Sequence, residues 1–292
     1  MAAARTRSPS RHARQGDLQT GTRVLLVAFI CLTLVATNQL FVLARHTATL
    51  FSWTIQPPLS AAFLGASYAA GCVLSVLALR SRSWTGARIA LVTVLVFAVL
   101  TLAASLLHLD RFHFAAPGVT ARAAAWIWMA VYAVVPLALL VVVLRQARAG
   151  RPARPSGSSM PRWLLGLLAL QGAVLGVVAI GLFVVPAVTA RWWPWLLTPL
   201  TARMTAAWLA ALAVAALLCL RERDAGRVAI PAVGYVVFGV LQLLALLLYG
   251  EVVAWGSLAA LLYVAALILA IATGAAGLRV AAHHRSTTTR NS

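Results

Sequence analysis

Eight strongly apolar runs alternate with short polar segments along this chain of 292 residues, near 24–44, 60–79, 89–109, 123–144, 163–187, 200–220, 228–249 and 253–275. A helix rises about 1.5 Å per residue, so about 20 apolar residues cross a hydrocarbon core roughly 30 Å thick. The pattern predicts an all-α integral membrane bundle of eight transmembrane helices. The Arg/Ser-rich ends, residues 1–22 and 277–292, read as disordered tails, because they carry too little apolar surface to offset the entropy of ordering. The stretch ARAGRPARPSGSSMPR, 147–162, reads as a basic Pro/Gly/Ser linker. It separates a four-helix unit at 23–146 from another at 163–276.

Composition agrees with this pattern. Hydrophobic residues make up 62% of the chain, charged residues only 10%, and the mean hydropathy is +0.93, outside the range of soluble domains. The net charge of +19 comes from arginines that punctuate apolar runs instead of gathering on one solvated face, which speaks against a nucleic-acid partner. Nineteen of the 24 basic residues fall before the first run, after the eighth, or between runs two and three, four and five, and six and seven. Positive side chains near helix ends are retained in the cytoplasm, so both termini are expected there, in a bacterial inner membrane. The first run is longer than a signal-peptide core and has a counterpart in the fifth, so it reads as a retained span. Cys31, Cys72 and Cys219 lie inside apolar runs and read as buried, inert thiols with no disulfide framework.

The two halves resemble each other at a nearly fixed offset. QPPLSAAF (56–63) aligns with LTPLTARM (197–204), pairing Pro58 with Pro199; the same spacing pairs Arg80 with Arg221, Phe97 with Phe238, and ASLLHLD (104–110) with ALLLYGE (245–251). Asp110 thereby acquires Glu251 as a partner by symmetry. Each half has an even number of spans, so the repeats are parallel, and a ligand cleft is expected between them near the outer leaflet.

Candidate chemistry clusters at that outer level. Asp110, Glu251, Arg203 and Arg111 would hold the polar end of an amphiphile, with Trp53 and Trp195 beside it and Asn38 and Gln39 facing it from the first span. Arg203 or Arg191 is expected to pair with a carboxylate across the halves, since unpaired charge is costly in lipid. The outer tryptophans otherwise read as headgroup-level anchors, and Thr198 as the cap of a helix begun by Pro199. HxDxxH at 108–113 makes His108, Asp110 and His113 weak candidates for metal ligands or for acid–base chemistry on a lipid. His108 and Asp110 point apart on a continuous helix, so either use requires the helix to unwind near Leu109. The amides Gln171 and Gln242 and the hydroxyls of Tyr68, Tyr132, Tyr235 and Tyr263 read as interhelical hydrogen-bonding groups. No Asp, Glu, Lys, Arg or His falls at the middle of any run, which speaks against a proton relay. Phosphate-loop, H-E-x-x-H and G-x-S-x-G motifs are absent and no cofactor is expected.

TIQPPL, LLHLDRFHF, AWIWMAVYAVVP and WPWLLTPLTAR together resemble a group of multi-pass membrane proteins from high-GC bacteria. The resemblance covers roughly 20–275 and implies an eight-helix fold; it assigns no activity and no functional residue. The leading expectation is a non-enzymatic protein that binds or translocates a lipid-like amphiphile. A membrane-embedded enzyme using His108, Asp110 and His113, or a structural assembly partner contacting others through 147–162, are the alternatives.

Overall fold

The computed structural model describes residues 18–81, 83–149 and 159–290. Residues 1–17 of the expected disordered head and most of the linker, 150–158, lie outside the described residues; the rest of that head is ordered, with Leu18 buried and Thr20–Thr22 already in the first helix. Within them the protein is all-helical: α1 (Thr20–Val42), α2 (Pro58–Ser81), α3 (Trp84–Leu106), α4 (Val119–Ala149), α5 (Arg162–Val184), α6 (Pro199–Glu222), α7 (Ala229–Tyr249) and α8 (Leu258–Arg290). All eight are long and apolar enough to cross a membrane. Residues 277–290, expected as a tail, instead continue α8.

Local chemistry sets several boundaries. Pro58 and Pro199 open α2 and α6, where a missing N–H has no cost. Thr198 Oγ1 accepts from Thr201 N at 3.3 Å, and Ser83 Oγ caps α3 by accepting from Gly86 N at 3.3 Å. Asn38–Val42 is a π turn closing α1, with Leu43 N donating to Asn38 O at 3.0 Å. This wide turn seats the fully buried Leu40 beside Gly65 on α2. A Cβ added at Gly65 would lie 2.5 Å from Phe41 N, so only glycine admits the approach.

Helices α2, α3, α6 and α7 form the interior, each 50% to 67% buried over its apolar window, while α1, α4, α5 and α8 are 22% to 28% buried. Within the interior α2 packs on α7 and α3 on α6; α1 leans on α2, α4 on α3, α5 on α6 and α8 on α7. At the centre Phe97 of α3 stacks on Trp208 of α6 at 3.9 Å between ring centroids, and Tyr68 of α2 meets Trp208 edge-on at 5.2 Å. Gln242 of α7 donates to Phe63 O of α2 at 3.0 Å, Tyr263 donates to Gln242 Oε1 at 3.3 Å, and Tyr235 donates to Leu212 O at 3.2 Å. These are the interhelical bonds expected of such groups in an apolar interior.

Successive described helices alternate in direction, with Gln19 bonded to Gln146 and Ala281 clustered with Met160 and Ala225, so both described ends lie on one face, here the terminal face; the other is the distal face. An ion network ties the terminal face together. Glu222, 7% exposed, accepts from Arg88 at 2.6 Å and from Arg227 at 3.1 Å, and Arg227 also meets the buried Asp224 at 3.2 Å. Met160 N donates to Arg223 O at 3.1 Å, anchoring the chain after the linker against the same loop. Cys72 and Cys219 are buried, whereas Cys31, expected to be buried, is exposed on the bundle's outward flank.

Candidate functional site

The predicted site residues divide among several environments on the distal face. Asp110 sits in a 3-10 turn (Leu109–Arg111) after α3, is 70% exposed and pairs with its neighbour Arg111 at 3.0 Å. Glu251 occupies the corresponding turn after α7 and pairs with Arg45 at 3.0 Å, whose guanidinium lies over the Tyr249 ring. Arg203 meets neither carboxylate. Its Nε donates to Phe183 O at 2.9 Å and its Nη1 to His108 Nε2 at 3.0 Å, so it joins α6 to the ends of α5 and α3. His108 Nδ1 lies 3.0 Å from Ala104 O; a carbonyl only accepts, so Nδ1 carries the proton and Nε2 receives the arginine.

Unwinding near Leu109 does occur, yet the histidines and Asp110 do not converge. His113 Nδ1 donates to Phe51 O at 2.9 Å, and Thr54 Oγ1 lies 3.0 Å from its Nε2. Thus both ring nitrogens of His108 and of His113 have other partners, and Asp110 turns to solvent. No group of three or more His, Cys, Asp or Glu side chains gathers among the described residues.

The tryptophans correct the anchoring expectation. Trp53 and Trp195 are 2% and 4% exposed, because the loops bearing them fold inward over the helix ends. Trp195 Nε1 donates to Ser60 Oγ at 2.9 Å and packs among Phe63, Trp193 and Tyr263. Trp53 packs on Phe51, Phe112 and Trp128. Trp192, in the same loop as Trp195, is strongly exposed.

That second aromatic cluster forms the distal end of a cavity of about 140 Å³ between α1 and α4, far above the ~10–15 Å³ one water needs. The two helices are clamped at both ends and parted in the middle. On the terminal face Gln146 Oε1 accepts from Gln19 N and from Thr22 Oγ1, each at 3.2 Å. On the distal face Gln39 Nε2 donates to Leu50 O at 3.1 Å and Ser52 Oγ to Ala124 O at 3.0 Å, so residues 47–53 bridge the helices there. Between the clamps the cavity runs from Phe29 to Gln39 on α1, a length of about 15 Å at 1.5 Å per residue. Its back wall is Tyr68 of α2 hydrogen-bonded to Tyr132 of α4. Its rim includes Val35 and Ile127, 58% and 59% exposed on the outward flank. Of the predicted residues, Gln39 lines the cavity and Trp53 packs behind it; Asn38 is exposed next to Gln39.

Trp128, Tyr132, Tyr68 and Phe51 are the lining residues that the distal cluster of charges did not announce. A signal was present: Trp128 and Tyr132 are four apart, which puts both on one helix face, and Trp128 Nε1 bonds Ser105 Oγ at 3.0 Å. Comparison of the chain with protein-family models, with curated proteins and with solved structures finds no match.

Proposed function

We propose that this chain is a multi-pass protein of the bacterial cytoplasmic membrane that binds an amphiphile or lipid laterally, in the gap between α1 and α4. The single observation that carries this reading is the elongated cavity, clamped at its ends, walled mainly by apolar and aromatic groups and open toward the outward flank between Val35 and Ile127. In a bilayer that flank faces acyl chains, so a ligand can enter without crossing water. Polar groups that could hold the amphiphile's polar end line the gap at two levels, Gln39 and Ser52 at the distal clamp and the Tyr68–Tyr132 pair deeper in. This moves the expected cleft from between the halves into the first half. Asp110, Glu251, Arg111 and Arg203 then act in loop and helix-end pairing.

The membrane reading is supported by the eight apolar helices. Cytoplasmic placement of the terminal face is supported by the arginine asymmetry, nineteen against five. An internal duplication is supported by the matching bounds of α2 and α6, both 24 residues long, and of the turns Leu109–Arg111 and Gly250–Val252. His113 N donates to Ser52 O at 2.9 Å much as Ala254 N donates to Pro194 O at 3.0 Å. The packing order has the same symmetry, α1 on α2 as α5 on α6, and α3 on α4 as α7 on α8.

Native mass spectrometry of the detergent-extracted full chain tests the binding reading. The wild type is expected to retain a lipid-sized adduct, and Val131→Phe, which fills the gap from α4, to lose it at unchanged folded yield. An adduct equally populated in both proteins would refute the site.

A further inference from the structure

The Tyr68–Tyr132 pair leaves a hydrogen-bond account open. Two hydroxyls carry two donor protons, and their mutual bond uses one. Neither oxygen has another partner among the described residues, and the two side chains are 4% and 5% exposed. One buried O–H of a pair that lines the cavity therefore has no acceptor, an arrangement that is costly unless one arrives. The other polar linings differ: Thr33 Oγ1 donates to the backbone of its own helix, and Ser52 and Gln39 are engaged at the distal clamp.

Resting on the lateral-gap reading, we infer that the ligand is a neutral ring compound bearing a carbonyl oxygen and an apolar tail, a membrane quinone by chemical class. The ring end enters first, and its carbonyl accepts the unused tyrosine proton. Three observations fix these terms. The donor sits deep: Tyr132 is eight residues along α4 from Ala124 at the distal clamp, about 12 Å, which is too deep for a surface headgroup. The lining includes no arginine or histidine, so an anionic end would be buried without a counter-charge. Phe29, Phe51, Tyr68, Trp128 and Tyr132 surround the space, and aromatic walls favour a flat ring in offset or edge contact. The tail leaves between Val35 and Ile127 into the acyl layer. Binding alone is inferred, with no electron transfer.

The test uses the full chain in lipid nanodiscs with two probes: decylubiquinone, and dodecylbenzene, which has a ring and tail but no acceptor. The wild type is expected to bind the quinone on the order of ten-fold more tightly, with the carbonyl stretch of bound ¹³C-labelled quinone lowered by hydrogen bonding. Tyr68→Phe with Tyr132→Phe should remove that preference and return the band to its unbonded position, leaving dodecylbenzene affinity unchanged. Each single variant keeps one hydroxyl and its proton, and should keep most of the preference. Equal affinity for the two probes, or an unshifted carbonyl band in the wild type, overturns the quinone assignment while leaving lateral binding intact; the proton is then met by water. Should the double variant fail to fold, the wild-type band decides alone. Probe binding that survives Val131→Phe overturns both this inference and the site beneath it.

Discussion

Glu222→Gln offers the sharpest test of how the two halves are joined on the terminal face. The carboxylate receives Arg88 from the start of α3 at 2.6 Å and Arg227 from the start of α7 at 3.1 Å, and is itself only 7% exposed. Unit charges about 4 Å apart attract by about 4 kcal/mol at an effective dielectric constant near 20. Part of that is offset by desolvation already incurred in the folded state. The glutamine keeps the shape and one acceptor oxygen but not the charge. Arg227 retains Asp224 at 3.2 Å, whereas Arg88, 32% exposed, loses its carboxylate altogether. One guanidinium, two-thirds covered and without a counter-charge, should cost about 2–3 kcal/mol, less than the roughly 3–5 kcal/mol for breaking a fully buried pair because Arg88 keeps some access to water. Reversible unfolding in mixed micelles reads this directly, and Arg88→Met in the glutamine background should recover part of the loss. A cost below about 0.5 kcal/mol, the range of surface substitutions, would refute the argument that this network holds α3, α6 and α7 together.

Three further outcomes follow from single contacts. Gly65→Ala should lower the thermal midpoint and the folded yield, since its methyl meets Phe41 N at 2.5 Å; overpacking of this kind costs about 1–3 kcal/mol. Ser60→Ala removes the acceptor of Trp195 Nε1 and leaves the indole in place, and should cost about 1 kcal/mol in the same unfolding assay. Arg203→Met frees His108 Nε2 and Phe183 O, and should speed hydrogen exchange at the distal end of α5, while Asp110→Asn, at an exposed local pair, should leave exchange there unchanged.

The eight long helices are legible because a predominantly apolar run of about 20 residues, the length that crosses a bilayer, leaves the backbone few options but a helix. Thr198 before Pro199, and Pro58, mark their helix starts by local chemistry alone. Burial is harder to read. Helices that are apolar all round do not encode which face packs inward, and loop tryptophans do not encode which way their loop folds, so Trp53 and Trp195 looked like interfacial anchors although their loops carry them inside. Helix α8 runs to Arg290 through a polar segment whose composition suggested a tail. The π turn at Asn38–Val42 has no sequence mark of its own; only its contact with Gly65 explains it. Charges drew attention to HLDRFHF, where His108 and Arg203 form a helix-end joint, and away from Tyr68 and Tyr132, 64 residues apart in sequence and bonded across α2 and α4.

Occupancy of the α1–α4 gap is the claim on which the functional account turns, and cryo-electron microscopy of the full chain in native-lipid nanodiscs measures it most directly. The account predicts an elongated density reaching from the flank between Val35 and Ile127 to the Tyr68–Tyr132 pair. Side chains of α1 and α4 closed on each other, with only protein density between Gln39 and Tyr132, would contradict it.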